Sequence, residues 1–256
     1  MQYPIYRLET EKEDIMADLK MKTTAIVLAA GSGSRMKSNV KKQYMELEGK
    51  PLILYALEAF EKSFIDEIIL VLPEKDIEYV SREIIEPQSF KKIKAVVAGG
   101  NTRYHSVRLG LEACSLNTEA VFIHDGARPF VDSDILERAL SAVKTYGACV
   151  VGMPVKDTIK LADKDGFAEK TPDRDLTWLI QTPQVFLYPE ILELYEELAK
   201  RENELLAANI NITDDAMVME TLGNRRVKLV EGSYDNIKIT TPDDINLAES
   251  ILKRKK

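Results

Sequence analysis

Ala25-Ile-Val-Leu-Ala-Ala-Gly-Ser-Gly-Ser-Arg-Met36 is the stretch on which the reading of this chain turns, with Lys41-Lys-Gln-Tyr44 shortly after it. Its apolar opening, Ala25 to Ala30, has the length and composition of a buried strand. The run then breaks into a loop with Gly31 and Gly33 around Ser32, and Arg35 at the exit. Without a Cβ, glycine lets backbone N–H groups come close to an anion, and successive N–H groups in such a turn form a concavity suited to phosphate. The glycines alone read as an ordinary tight turn. Arg35 and Lys42 bring positive charge to the same end, and with them the stretch reads as a triphosphate cradle.

Two familiar phosphate loops do not fit it. A P-loop needs four residues between its glycines and a Gly-Lys-Ser/Thr ending; here one residue separates Gly31 from Gly33. The dinucleotide fingerprint needs a third glycine where Met36 stands.

The 256 residues suit one large α/β domain or two small ones, with a core that needs no disulfides. Hydrophobic residues at 45% and charged ones at 30% are ordinary for a globular chain. A net charge of −7 argues against an extended nucleic-acid surface, which carries a basic footprint. Cys114 and Cys149 lack C-x-x-C spacing and the chain has two histidines, so the cysteines read as buried thiols rather than zinc ligands. No apolar run has the length of a membrane span, and Met1-Gln-Tyr-Pro-Ile-Tyr6 does not open like a secretory signal. The expected compartment is the cytoplasm.

Residues 1–22 are charged and read as an extension outside the catalytic fold, which spans 23–256. Strands are expected at 25–30, 68–72, 93–97, 120–124 and 149–153. Helices are expected between them at 51–63, 76–85 and 104–113, and one capped by Ser133 that reaches about Tyr146. Such alternation implies a mostly parallel sheet covered on both faces, and ligands bind outside the strand C-termini of such sheets. The loops 31–36, 99–103 and 125–129 all fall at strand C-termini and therefore converge on one edge.

After residue 153 the pattern changes. Thr158 to Thr171 reads as a polar hairpin with Asp165-Gly166 in its turn, part of an arm over about 156–177 that has little of its own to bury. A strand at 178–186 follows, then a Glu- and Leu-rich helix at 191–208, read as a solvated face, and a helix capped by Thr213 or Asp214. Strands at 227–230 and 236–240 and a last helix from Pro242 complete the chain. His105 and His124 lack partners at ligand spacing and read as structural; Trp178 reads as packing.

Asp125-Gly-Ala-Arg-Pro129 sets a carboxylate and a guanidinium at the ligand edge. A carboxylate beside a triphosphate makes sense through Mg²⁺, which takes one or two carboxylates plus phosphate oxygens; Asp235 is the candidate for the second. An ordinary Asp–Arg ion pair is an equal reading of Asp125 and Arg128 on their own.

Leu28-Ala-Ala-Gly-x-Gly-x-Arg-Met36 with Lys42-Gln-Tyr44 resembles the sugar-phosphate nucleotidyltransferases. The ordered set then continues with Gly99-Gly-x-x-Arg103-x-x-Ser106, His124-Asp-Gly-Ala-Arg-Pro129, Pro154-Val-Lys-Asp-Thr158 and Gln181-Thr-Pro-Gln184. It ends with Ile212-Thr-Asp-Asp-Ala216, Val230-Glu-Gly232 and Asn236-Ile-Lys-Ile-Thr-Thr-Pro242. From about Thr23 to the C-terminus, this set resembles the 2-C-methyl-D-erythritol 4-phosphate cytidylyltransferase family of the non-mevalonate isoprenoid pathway. Ribitol-5-phosphate cytidylyltransferases share most of it.

The resemblance implies a single three-layer, Rossmann-like α/β domain with a protruding β-hairpin arm that interlocks a homodimer. It implies CMP transfer from CTP to a polyol phosphate with release of pyrophosphate, aided by cations and Mg²⁺. Ala29, Ala30, Gly31, Ser32, Gly33, Ser34, Arg35 and Lys42 would hold the triphosphate, and Gly99, Ser106 and Gly126 the cytosine. Asp125, Arg128, Thr158, Thr182, Thr213 and Lys238 would line the polyol-phosphate side, with Arg174 reaching into the neighbouring subunit. Arg35 and Lys42 would stabilise the charge that develops at the α-phosphate, and Lys238, on the polyol-phosphate side, would be the third catalytic residue. Lys41 stands where the family commonly has proline, which leaves open which lysine faces the phosphate, and Gly126 replaces the more usual alanine. A nucleotide-binding module that has lost catalysis is the alternative from another class; the charged groups Arg35, Lys42, Asp125, Arg174 and Lys238 speak against it.

Overall fold

The structure is a computed structural model that describes residues 20–31, 44–223 and 225–255. The expectations on Ser32, Gly33, Ser34, Arg35, Lys41 and Lys42, and on residues 1–19 of the extension, lie outside the described residues.

The apolar runs form the strands they suggest. In chain order the strands are β1 (Thr23–Leu28), the short pair β2 (Glu46–Leu47) and β3 (Lys50–Pro51), β4 (Glu67–Leu72), β5 (Ile93–Ala98) and β6 (Ala120–Asp125). They continue with β7 (Ala148–Pro154), β8 (Leu161–Ala162), β9 (Ala168–Lys170), β10 (Trp178–Leu187) and β11 (Lys228–Glu231). The helices are α1 (Leu52–Lys62), α2 (Arg103–Glu112), α3 (Ser133–Tyr146), α4 (Tyr188–Ala207), α5 (Asp215–Leu222) and α6 (Pro242–Lys255).

Seven strands make one sheet in the order β11-β7-β10-β6-β1-β4-β5. β1 pairs in parallel with β4 and β6, and β10 runs antiparallel between β6 and β7. The mostly parallel α/β architecture read from the sequence is the one observed. Alternation along β1 explains its even apolarity: Ala25 and Val27 face α1 and α3, while Ile26 faces α2, α4 and α5. A strand buried on both faces has no polar side to show. A third apolar cluster, with Leu47, Phe130, Ile239 and Ile251, seats α6 beside the strand-end loops.

Three local expectations are corrected. Asn236–Thr240 is not a strand; its backbone bonds leave the ladder, with Ile239 N–H on the Ala127 carbonyl and the Asn236 carbonyl on Arg128. The helix expected at 76–85 is an irregular helical segment over 74–88 that includes a π turn at Val80–Ile85. Asp132, one residue ahead of Ser133, caps α3 by accepting the Ile135 N–H. The arm hairpin forms as β8 and β9, turning through Gly166 at φ +86°, where a side chain would be strained.

Candidate active site

The C-terminal ends of β1, β5 and β6 meet, as the spacing of the loops demanded, around a cleft of about 440 Å³. Ala29, Ala30 and Gly31 form one wall, Gly100 to Arg103 with Ser106 a second, and Asp125, Ala127 and Lys238 a third. Close backbone approach shapes the first two walls. A Cβ on Gly99 would lie 2.3 Å from the Ala30 Cβ and 2.9 Å from Ser106 Oγ, so only glycine lets the loops touch. The Ser106 hydroxyl accepts the Gly100 N–H at 3.1 Å and donates to the Thr102 carbonyl at 3.0 Å, locking the turn into α2. The N-terminus of α2, capped by Thr102, thus opens on the cleft, and unpaired helix N–H groups there favour an anion.

Asp125 is the electrostatic centre. Lys238 Nζ lies 2.8 Å from its Oδ2, Arg128 Nε 3.8 Å from the same oxygen, and Arg103 Nε 3.7 Å from Oδ1. Burial works to raise the carboxyl's pKa, but Arg103, Lys238 and Arg128 outweigh it and hold the group well below the usual carboxylate range. Three cations around one carboxylate leave the cleft with surplus positive charge, the sign that suits a polyphosphate.

Arg103 is itself anchored. Its Nη1 and Nη2 each donate at 2.7 Å to Asp215, whose carboxylate is fully buried at the start of α5 and accepts the Tyr195 hydroxyl at 2.5 Å. Burial pulls the Arg103 pKa down, yet Asp215 and Asp125 raise it above its ordinary value. An arginine in the first turn opposes the helix dipole; the two carboxylates offset that cost. The sequence reading quoted Arg103 and Asp215 within motifs without giving either a role, and passed over Tyr195. The only available signal was an arginine at the first position of a helix entering a glycine turn.

Behind Asp125 lies a buried polar layer. His124 is fully buried, edge-on to Phe60 at 5.2 Å between ring centres. Burial pulls its pKa down to about 4, so the ring is neutral at ordinary pH. Asn236 donates from Nδ2 to the carbonyl of Thr182 and to Gln181 Oε1, and its own carbonyl accepts Arg128 Nη1.

Of the residues singled out from sequence, Ala29, Ala30, Gly31, Ser106, Asp125 and Lys238 share the cleft. Gly99 and Gly126 lie against its walls, and Arg128 stands on Asp125. Thr182 is buried beneath the Asp125 backbone. Thr158, Arg174 and Thr213 are exposed, the first two on the arm segment, and none of the three lines the cleft. Asp235 does not line it either; its carboxylate pairs with Arg254 at 2.7 Å. Among the described residues no group of three His, Cys, Asp or Glu is placed to hold a metal ion.

A sequence model of the 2-C-methyl-D-erythritol 4-phosphate cytidylyltransferase family (IspD) matches residues 23–254. The chain belongs to this cytidylyltransferase family. Two relatives that carry the family's name come from Lachnospira eligens, 49% identical over 90% of this chain and 99% of that one, and Lachnoclostridium phytofermentans, 47% identical over 91% and 97%. A solved 4-diphosphocytidyl-2C-methyl-D-erythritol synthase from Anaerococcus prevotii superposes with a TM-score of 0.78 at 35% identity, over 91% of this chain and 97% of that one. The Thermus thermophilus 2-C-methyl-D-erythritol 4-phosphate cytidylyltransferase gives 0.70 at 31%, over 91% and 100%. As in the cytidylyltransferases it resembles, the fold is an α/β sheet flanked by helices.

Proposed function

We propose that this cytidylyltransferase transfers CMP from CTP to 2-C-methyl-D-erythritol 4-phosphate, giving 4-diphosphocytidyl-2-C-methyl-D-erythritol and pyrophosphate. The observation that carries the reading is the set of three cations gathered on Asp125 at the mouth of a cleft walled by backbone loops. The substrate phosphate is already an anion and needs no general base. One of its oxygens bonds to the α-phosphorus in line as the bond to the bridging oxygen breaks, and pyrophosphate carries away the electron pair. Catalysis is then positioning plus charge stabilisation.

In this reading Ala29 to Arg35 with Lys42 receive the triphosphate, and Gly99, Ser106 and Gly126 surround the base. Lys238 and Arg128 draw the polyol phosphate towards the α-phosphorus, and Asp125 orients both through its ion pairs. Thr158 and Thr213 belong to the polyol side, and Thr182 supports it from beneath the Asp125 backbone. A divalent cation of the Mg²⁺ type neutralises triphosphate charge when bound. Asp125, the candidate carboxylate that lines the cleft, is already paired with Lys238, Arg128 and Arg103, and Asp235 with Arg254, so neither fits the role of its ligand and the triphosphate itself would have to hold it.

A homodimer through the arm is part of the proposal. Phe167 is 72% exposed and Leu176 79% exposed, Leu161 is also open to solvent on the arm, and Leu179 and Ile180 on the start of β10 that adjoins it. So many exposed apolar side chains on one arm call for a partner surface, and a second copy would receive Arg174 at its polyol side. No helix among the described residues is long and apolar enough to cross a membrane; the proposed site of action is the cytoplasm. The test is pyrophosphate release with CTP and Mg²⁺, comparing methylerythritol 4-phosphate with ribitol 5-phosphate. Preference for the first is expected; preference for the second, or release with neither by folded protein, overturns the proposal.

A further inference from the structure

Thr182 Oγ1 lies 3.0 Å from the Asp125 backbone nitrogen and 3.1 Å from His124 Nδ1, and His124 Nε2 lies 3.1 Å from the Arg128 carbonyl. The direction of every bond is forced. A backbone N–H only donates and a carbonyl only accepts. Thr182 Oγ1 therefore accepts from Asp125 N–H, and His124 Nε2 carries the proton that goes to Arg128. Full burial disfavours a doubly protonated ring, so Nδ1 keeps its lone pair and receives the one hydroxyl proton of Thr182. The relay runs Asp125 N–H to Thr182 to His124 to the Arg128 carbonyl, and it ties together the two ends of the turn that carries Asp125 and Arg128. That turn is also closed by its own Arg128 N–H on the Asp125 carbonyl at 2.9 Å.

The geometry points to His124 and Thr182 as positioning residues that set the Asp125–Arg128 turn, with Thr182 acting through the backbone rather than by donating to substrate. The inference rests on the cytidylyl-transfer reading for its kinetic consequence, but the relay itself is observable without any substrate. Because the hydroxyl proton is committed to His124, Thr182 has none to offer a polyol. Phe60 packs the ring from the side and Asn236 holds the Thr182 carbonyl at 2.9 Å, so neither partner is free to turn away.

The experiment is nuclear magnetic resonance of the full chain with isotope-labelled imidazole nitrogens, which gives two histidine spin systems only. His124, assigned by its loss in His124→Gln, is expected to show a protonated Nε2 and a bare Nδ1. A protonated Nδ1 overturns the relay. In kinetics, Thr182→Val is expected to lower kcat by about tenfold or more while KM for CTP moves less, since small misplacements of positioned groups are expensive. Thr182→Ser should restore kcat to within about threefold of the parent; a Val variant that turns over like the parent overturns the positioning role. If Thr182→Val does not fold, the comparison passes to His124→Gln and His124→Asn. Gln keeps an N–H donor where Nε2 stood, so it should retain more kcat than Asn, and equal loss overturns the proposal. A parent chain that transfers no CMP defeats the cytidylyl reading, while the nitrogen signals still decide the relay.

Discussion

Arg103 and Asp215 form a two-pronged ion pair, both N···O distances 2.7 Å, that ties the first turn of α2 to the first turn of α5 beside the cleft. Asp215→Asn removes one member of a buried pair and leaves the guanidinium without its main partner. Stability should fall by about 3 kcal/mol, the lower end for breaking such a pair because Asp125 remains nearby. Urea unfolding measures it; an unchanged midpoint would show that Arg103 finds compensation elsewhere.

Lys238 Nζ stands 2.8 Å from Asp125 Oδ2 and retains 35% of its side-chain exposure, so its removal leaves no buried hole. Lys238→Ala should lower turnover by about a hundredfold, the scale of losing one charge-stabilising donor, with little change in thermal midpoint. Lys42→Ala is expected to behave alike. Retained activity in either variant removes that lysine from the mechanism.

Gly99 has no room for a methyl group, with Ala30 Cβ 2.3 Å from where it would sit. Gly99→Ala should push the Ala29–Gly31 wall away from the α2 turn. The expected cost is about 1–3 kcal/mol of stability, the usual range for overpacking, together with a raised KM for CTP. Steady-state kinetics at varied CTP checks this, and an unchanged KM would separate the wall from nucleotide binding.

His124 is held neutral by burial, its pKa pulled from an ordinary 6.5 down to about 4. The unfolded chain therefore binds a proton that the folded chain refuses as pH falls below the ordinary value. Stability contributed by this group is intact above about pH 6.5 and is lost progressively down to about pH 4, roughly 3 kcal/mol in all. The difference in urea midpoint between about pH 7 and about pH 5 should shrink in His124→Gln relative to the parent. An equal difference in both proteins would assign the pH dependence to other groups.

Phe167 and Leu176 stand out from the arm with most of their surface in water. A double substitution to aspartate should convert a dimer to a monomer in sedimentation and lower turnover with it, if a second copy covers the arm and receives Arg174. A parent chain that sediments as a monomer at assay concentration would defeat the dimer.

The alternation of apolar runs with helical segments was sufficient, without coordinates, for the mostly parallel sheet and for the meeting of three loops on one edge. Those features rest on local chemistry: β1 is apolar from Ala25 to Leu28, and Gly99 marks where two loops must pass closely. The same local logic failed at Asn236–Thr240. Its apolar alternation suits a strand, but Ile239 instead fills the α6 cluster while the backbone serves Ala127 and Arg128.

What the sequence by itself determined was which residue types stand at the cleft, because a strand end followed by glycine places them there whatever the rest of the chain does. Only the tertiary structure decided how those residues are paired. Arg103 meets Asp215 across 112 positions of sequence, and Thr182 meets Asp125 across 57. An ion pair or a hydrogen bond depends on distance and direction between groups brought together by packing, and neither quantity is written in the spacing along the chain.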